Sequence, residues 1–128
     1  MEFTPDVLNE KCGSRLVLNH VTSRWGALVL IALMDGTLRF STLRRRIGGV
    51  SERMLIQSLR LLEDDGLVQR IAHQVVPPHV DYRLTPMGAD VAQNVLALAQ
   101  CIESNLAAIM RFQALRAAAT QAPADAQG

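Results

Sequence analysis

The chain of 128 residues has little cysteine and few aromatic residues, and it has no apolar run long enough to cross a membrane. The longest apolar run, from Trp25 to Met34, has about half of the ~20 residues that a bilayer requires. The acidic start, MEFTPDVLNE, lacks the basic and then apolar pattern of an export signal. We therefore expect a cytoplasmic protein without a membrane partner.

The two cysteines and three histidines do not form the spacings that metal sites or catalytic sites require. Cys12 and Cys101 lie far apart and, without an export signal, are expected to be free thiols. His20, His73 and His79 show no metal-ligand spacing, and no phosphate loop or glycine-flanked nucleophilic serine occurs. The sequence thus predicts no metal, no cofactor and no enzymatic activity.

Positive charge is scarce overall but strongly concentrated. The formal net charge is +1 with 20% charged residues, so any nucleic-acid binding must come from a local patch. Between positions 39 and 60 there are six arginines and one acidic residue, Glu52, which is a local charge of +5. The six are Arg39, Arg44, Arg45, Arg46, Arg53 and Arg60. Such a concentration is typical of a surface that meets an anionic partner.

Apolar periodicity predicts four helices in the first half, over residues 14–21, 24–34, 41–47 and 51–64. The second is apolar almost all round, as a helix at the centre of a small domain would be. Thr22 or Ser23 can cap it, and Ser41 and Ser51 can cap the next two. Residues 37–40 are too few for more than an edge strand or a link.

The second half predicts a β-hairpin and a long helix. Residues 67–75 and 80–84 alternate with period two around a Pro77-Pro78 tip. Thr85-Pro86 can start a helix, which then continues without a breaker to about residue 116. We divide the chain into an arm (1–12), one domain (13–116, with its last helix about 86–116) and a disordered tail (117–128). The fold class is mainly α with a small β-hairpin.

The last predicted helix carries a series at alternating spacings of four and three, which is typical of a seam between two helices. The series is Val91, Val95, Leu98, Ile102, Asn105, Ile109 and Phe112. Asn105 is either a polar contact that sets the register or a sign that the seam ends near Ile102.

The helix from Ser51 has two different stripes at the same helical spacing. One consists of Leu55, Leu59 and Leu62, and the other of Arg53, Gln57 and Arg60. Arginine can donate two hydrogen bonds to guanine and glutamine can pair with adenine, so the second stripe suits base reading in a major groove. The alternative is an ordinary solvated amphipathic helix, but the basic helix and glycine turn before it favour a helix-turn-helix.

Other polar residues of this region are suited to the DNA backbone. Of three adjacent arginines on one short helix, we expect one to pack toward the core and two to face phosphate. Arg39 either faces phosphate or pairs with an acid such as Asp35. The residues assigned to backbone contact are Arg39, Ser41, Arg44, Arg45, Arg46, Ser51 and Arg70.

Several features then occur together between about residues 12 and 110. They are Trp25, Arg39-Phe40, the 51–62 helix, Asp65-Gly66-Leu67-Val68 with Arg70, and Tyr82-x-Leu84-Thr85 followed by Gly88. In this combination the chain resembles the HxlR-type winged helix-turn-helix transcriptional regulators, relatives of the MarR group. The resemblance implies a homodimer through the terminal helices, with the helix from Ser51 in the major groove and the hairpin as a wing near the minor groove. This wing has no Lys or Arg in residues 71–80, an unusual composition for a phosphate clamp.

Cys12 is the second functional candidate. In part of the family a cysteine at the start of the domain senses oxidants, quinones or aldehydes, and Cys12 matches that position, although Gly13 follows where proline is common. Lys11, Arg15 and a helix starting near Ser14 are expected to lower its pKa. The alternative is a small buried residue at the dimer base.

The sequence therefore predicts a homodimeric transcriptional regulator, a repressor, that binds a double-stranded operator and is released by an electrophile, oxidant or small molecule. One alternative is a winged-helix protein-interaction module without specific DNA binding. A second keeps the DNA role but places a small-molecule pocket between the core and dimer helices, as in the MarR group.

Overall fold

The computed structural model describes residues 4–121. Its elements are α1 (Gly13–Val21), α2 (Gly26–Ala32), a 3₁₀ turn (Leu33–Asp35), β1 (Leu38–Arg39), α3 (Phe40–Arg46), α4 (Glu52–Asp64), β2 (Val68–His73), β3 (His79–Leu84), α5 (Pro86–Ser104) and α6 (Leu106–Thr120). The predicted class, mainly α with a small β-hairpin, is confirmed. The chain divides into two compact units, of which one ends at Leu96 and the other begins at Ala97.

The core of the first unit is built around α2, as predicted. Val29 and Leu30 are fully buried there, and leucines of the 3₁₀ turn, α3 and α4 join them. The helix is shorter than the predicted 24–34, because Ser23 holds the preceding turn. Its hydroxyl donates to the His20 carbonyl oxygen at 2.8 Å and accepts from the Gly26 N–H at 3.1 Å. The N-cap residue of α2 is Trp25, whose side chain makes no capping bond, so the predicted cap at Thr22 or Ser23 is wrong and Ser23 instead holds the turn before the helix.

The helix-turn-helix consists of α3, a glycine turn and α4. Gly49 has a φ of 86°, a conformation that an L side chain rarely adopts, so the turn requires glycine there. Ser51 then caps α4, accepting from the Met54 N–H at 3.2 Å, as predicted. The predicted cap at Ser41 is wrong, because α3 already begins at Phe40 and its N-cap residue is Arg39.

The hairpin belongs to a three-stranded antiparallel sheet with the order β1-β3-β2. Residues 38–39 form the edge strand, with Leu38 opposite Tyr82 and Arg39 opposite Asp81. In the hairpin, His73 lies opposite His79. The predicted strand 67–75 is too long, because β2 ends at His73 and residues 74–78 form the turn. Two adjacent prolines in that turn supply no N–H for further pairing.

Helix α5 starts at the predicted cap. Thr85 accepts from the Gly88 N–H at 3.0 Å, and its hydroxyl donates to the Gly66 carbonyl oxygen at 2.6 Å. Ala92 on α5 is fully buried in the core of the first unit.

The predicted unbroken helix over 87–116 is wrong, because the chain leaves helical geometry at Asn105. The Asn105 side-chain amide donates to the Cys101 carbonyl oxygen at 2.8 Å, a local bond that competes with helix continuation. The predicted disorder from residue 117 is also wrong for 117–120, which complete α6. The rest of the predicted tail, 122–128, lies outside the described residues.

Within residues 4–121, no single helix has the length and apolar composition to span a bilayer. Two bent pairs, α1 with α2 and α5 with α6, meet those two criteria only when each pair is taken together.

Candidate nucleic-acid interface

The solvent-facing side of α4 carries the three residues predicted to read bases. Arg53, Gln57 and Arg60 are exposed, whereas Leu55, Leu59 and Leu62 on the opposite side have at most 1% of their surface exposed. Within residues 4–121, neither Arg53 nor Arg60 has a carboxylate within 4.0 Å. The stripe therefore presents hydrogen-bond donors to solvent, with Arg53 in the first turn of this 13-residue helix and Arg60 in its second half.

The three arginines of α3 are all exposed, so the expectation that one packs toward the core is wrong. The inward positions are taken by Leu43 and Ile47, four residues apart and both buried. Arg46 pairs with Asp35 at 2.7 Å and Arg44 approaches Glu52 at 3.8 Å. These pairs are exposed and weak, so a phosphate can replace the carboxylate. Arg45 has no carboxylate partner in the described part of the chain.

Arg39 was expected to face either phosphate or an acid such as Asp35. Asp35 is engaged by Arg46, and Arg39 makes no ion pair among residues 4–121. Of the two alternatives, the geometry favours phosphate.

A groove of about 770 Å³ runs between α4 and the sheet. Three of the arginines predicted to contact DNA line this groove, each from a different element. Two glutamates also lie on its wall. Its lining residues include Arg39, Ser41, Glu52, Arg60, Glu63 and Arg70. A second groove, of about 550 Å³, is lined by Arg44, Arg45 and the glycine turn. Arg46, Ser51, Arg53 and Gln57 line neither groove.

The hairpin gathers three ligand-type side chains that the sequence reasoning did not connect. His73 Nε2 lies 2.9 Å from Asp81 Oδ2, and His79 Nε2 lies 4.0 Å from Asp81 Oδ1. The two imidazole rings stack with centroids 4.5 Å apart. The signal was present in the sequence, since the two histidines lie three residues on either side of Val76, at the hairpin tip. We call these three residues the wing cluster.

Cys12 is half-buried at the N-terminus of α1. The Asp6 backbone N–H donates to Cys12 Sγ at 3.4 Å, and Ser14 Oγ lies 3.1 Å from it. These hydrogen bonds, first that from Asp6 and then those from Ser14, lower the pKa of the Cys12 thiol, and burial and then the Asp6 carboxylate partly oppose them. The predicted direction is confirmed. The expected cause is confirmed in part, because the start of α1 supplies the Ser14 backbone bond, whereas neither Lys11 nor Arg15 is among the causes. Arg15 donates instead to the carbonyl oxygens of Val7 and Leu8, at 2.6 and 3.1 Å.

The residues predicted to form the dimer seam divide into two groups. Val91 and Val95 are half-buried and pack against the core of their own unit. Leu98, Ile102 and Ile109, all in the second unit, are exposed. Helix α6 buries none of its side chains. Asn105 interrupts the helix and its side chain bonds the Cys101 carbonyl oxygen, which favours a seam that ends near Ile102 over a register-setting contact.

A basic helix, a glycine turn, a second helix with an arginine stripe and a following β-hairpin together define a winged helix-turn-helix. This is the fold and surface of DNA-binding transcriptional regulators. The HxlR-like helix-turn-helix family matches residues 20–110 of the chain. The chain therefore belongs to the HxlR family.

Individual relatives agree with this membership. The chain is 61% identical over 109 residues to the HTH-type transcriptional regulator YtfH of Escherichia coli K12, covering 85% of this chain and 86% of that one. The solved structure of YtfH from Salmonella typhimurium superposes with a TM-score of 0.82 at 55% identity, over 86% of this chain and 98% of that one. The redox regulator HypR, in its reduced form, superposes with a TM-score of 0.70 at 33% identity, over 77% and 97%.

Proposed function

We propose that this transcriptional regulator acts in the cytoplasm as a homodimeric repressor that reads a pseudo-palindromic operator, with α4 of each subunit in a major groove. The observation that carries this proposal is the exposed stripe of Arg53, Gln57 and Arg60 on α4. The stripe lies opposite the buried leucines, on a helix that follows the glycine turn and is capped by Ser51. Half-sites one helical turn apart would match the two-fold symmetry of such a dimer.

Arg53 and Gln57 are assigned to base edges, because they face solvent on the first two turns of α4 and line neither groove. Arg60 stands where the base-reading stripe meets the larger groove. The remaining predicted contacts are assigned to the backbone on both flanks of α4. They are Arg39, Ser41, Arg44, Arg45, Arg46, Ser51 and Arg70.

Dimerisation is assigned to the second unit. Seven large apolar side chains there are exposed, which is more than a chain that stays monomeric usually leaves uncovered. They are Leu98, Ile102, Leu106, Ile109, Met110, Phe112 and Leu115. A second copy of the same surface is the partner that a symmetric operator requires.

The double variant Arg53→Ala/Gln57→Ala is expected to change which bases are preferred. Each lost pair of base contacts should cost about 1–3 kcal/mol of discrimination at its position. Binding-site selection from a random duplex library, run on the wild type and the variant, measures the change. The same preferred sequence for both proteins would contradict the base-reading assignment.

Arg45→Ala is the matched control, because Arg45 is an exposed arginine on the neighbouring helix without a carboxylate partner in the described chain. It should keep the preferred sequence, weaken all sequences alike and reduce the salt slope by about 1. A winged-helix module that binds only proteins would instead select no sequence from the library with the wild type.

Release from DNA is assigned to chemistry at Cys12. Its thiol has a lowered pKa and is half-buried in the single chain, and the alternative is a small buried residue at the dimer base. A related structure is that of HypR, which is named a redox regulator and is solved in oxidised and reduced forms. A lowered pKa keeps the reactive thiolate populated at a lower pH than an ordinary cysteine.

Treatment with a quinone is expected to release the wild type from its operator in a gel-shift assay, and Cys12→Ser should stay bound. Cys101→Ser is the control and should be released like the wild type. In the Cys101→Ser background, Ser14→Ala should move the midpoint of the Cys12 alkylation rate to higher pH, because a hydrogen bond to the thiolate is lost. Unchanged release of Cys12→Ser would eliminate Cys12 as the sensor and favour a small-molecule pocket.

A further inference from the structure

We propose that the wing binds a divalent transition-metal ion of the zinc class through His73, His79 and Asp81. The ligand atoms of these three side chains all lie within 4.8 Å of one another. They project from two paired strands, whose backbone hydrogen bonds fix their separation. His73 lies opposite His79, and Asp81 lies two residues along β3 on the same side of the sheet as His79.

The distances are close to those of a tetrahedral site. Ligand bonds of about 2.0–2.1 Å place neighbouring ligand atoms about 3.3 Å apart. The His73–Asp81 separation of 2.9 Å is slightly shorter than this and the His79–Asp81 separation of 4.0 Å is slightly longer. The ligand atoms of the two imidazoles lie within 4.8 Å of each other, and the stacked rings must turn toward a shared ion to bind it. All three residues are half-buried. Three protein ligands leave a fourth position open for water or another oxygen ligand.

The donor set selects the class of ion. Two imidazole nitrogens and one carboxylate oxygen suit zinc, nickel or copper, whereas magnesium and calcium prefer oxygen ligands alone. Two arginines lie near the wing cluster. Arg39 is the cross-strand neighbour of Asp81 on β1 but makes no ion pair with it, and Arg83 is turned to Gln69 Oε1 at 2.8 Å. The Asp81 carboxylate is therefore available to bind an ion together with the two histidines.

A bound ion would reverse the charge of the wing cluster. With neutral histidines the wing cluster carries the single negative charge of Asp81, which repels phosphate, and residues 71–80 contain no Lys or Arg. A divalent ion makes the cluster positive and offers its open position to an anionic oxygen. This consequence, unlike the site itself, rests on the proposed function as a DNA reader.

Calorimetric titration of the full chain with zinc chloride, under reducing conditions and without DNA, tests the site. Free thiols can also bind zinc, and the chain has two, Cys12 and Cys101. The site is therefore measured as the difference in bound zinc between the wild type and each variant. His73→Gln and His79→Gln should each bind one ion fewer per chain than the wild type, because each variant removes one of the three protein ligands. His20→Gln is the control, because His20 pairs with Asp65 on other elements, and it should bind zinc like the wild type.

Zinc binding by His73→Gln and His79→Gln that equals the wild type would overturn the site. A gel shift with and without zinc chloride tests the consequence, since zinc should tighten DNA binding by the wild type but not by His73→Gln. Loss of one ion in the variants without any effect on DNA binding would keep the site and overturn its charge role. A wild type that binds no DNA would contradict the proposed function, while the titration would still decide the site.

Discussion

Gly88→Ala should lower the free energy of unfolding of the first unit by more than about 3 kcal/mol. A Cβ placed on Gly88 would lie 1.8 Å from the Leu67 carbonyl oxygen and 2.8 Å from its carbonyl carbon. Both are backbone atoms, and they cannot move aside cheaply. The Leu67 N–H donates to Leu62 at 3.0 Å, and its carbonyl accepts from the Thr85 N–H at 3.1 Å. The start of α5 would have to separate from the end of α4.

Urea denaturation followed by circular dichroism measures the effect, and the melting temperature should fall by more than about 10 °C. Gly48→Ala is the matched control, because a Cβ at Gly48 meets no atom within 4 Å and its φ is not restricted to glycine. It should change stability by less than about 1 kcal/mol. Equal stability of the two variants would contradict the close approach of α5 to Leu67.

Ile102→Asp should give a monomer with strongly reduced operator affinity. Ile102 is 50% exposed and its neighbour on the apolar surface, Leu98, is 56% exposed. Burying a carboxylate in an apolar dimer interface without a partner costs several kcal/mol. A monomer then engages one half-site instead of two, and the loss of bivalent binding should lower affinity by about 10²–10⁴-fold. Analytical ultracentrifugation and a gel shift on the same samples measure the two effects.

Gln100→Asp is the control for this substitution. It places the same charge on an exposed position of the same helix, away from the apolar series. It should remain dimeric and bind DNA like the wild type. A dimeric Ile102→Asp with full operator affinity would show that the second unit is not the dimer interface.

The elements that the sequence predicted correctly are those specified by neighbouring residues. Ser51 caps α4 and Thr85 caps α5, because each hydroxyl bonds an N–H three residues ahead. The leucine stripe of α4 is buried, because apolar residues at helical spacing lie on one side of the helix and that side packs against the core. The sequence predicted helix α2 but not its bounds. The turn at Ser23 and the close approach of Gly26 to His20 depend on how α1 packs against α2.

The predictions that failed concern residues that compete for the same buried position or have more than one possible partner. Three arginines on α3 could not all be placed from the sequence, because the inward positions belong to Leu43 and Ile47 once the helix docks. The break at Asn105 has a local cause, the bond from its side chain to the Cys101 carbonyl oxygen. The sequence alone does not decide between this bond and a polar contact with a partner helix. The largest cause of the lowered Cys12 pKa was not predicted, because it arises only where the arm folds back and brings the Asp6 N–H to the thiol.

The sequence by itself determined the class of protein. A concentrated arginine patch, a glycine turn, a capped two-striped helix and a period-two hairpin are local patterns, and in this order they specify a winged helix-turn-helix. Only the tertiary structure decided which side chains meet. It packed Val91 and Val95 against the core of their own unit, paired Asp35 with Arg46, and brought His73, His79 and Asp81 together across a strand pair. The physical reason is that local patterns depend on neighbours in the chain, whereas these contacts depend on strand register and helix docking, which arise only when distant segments pack.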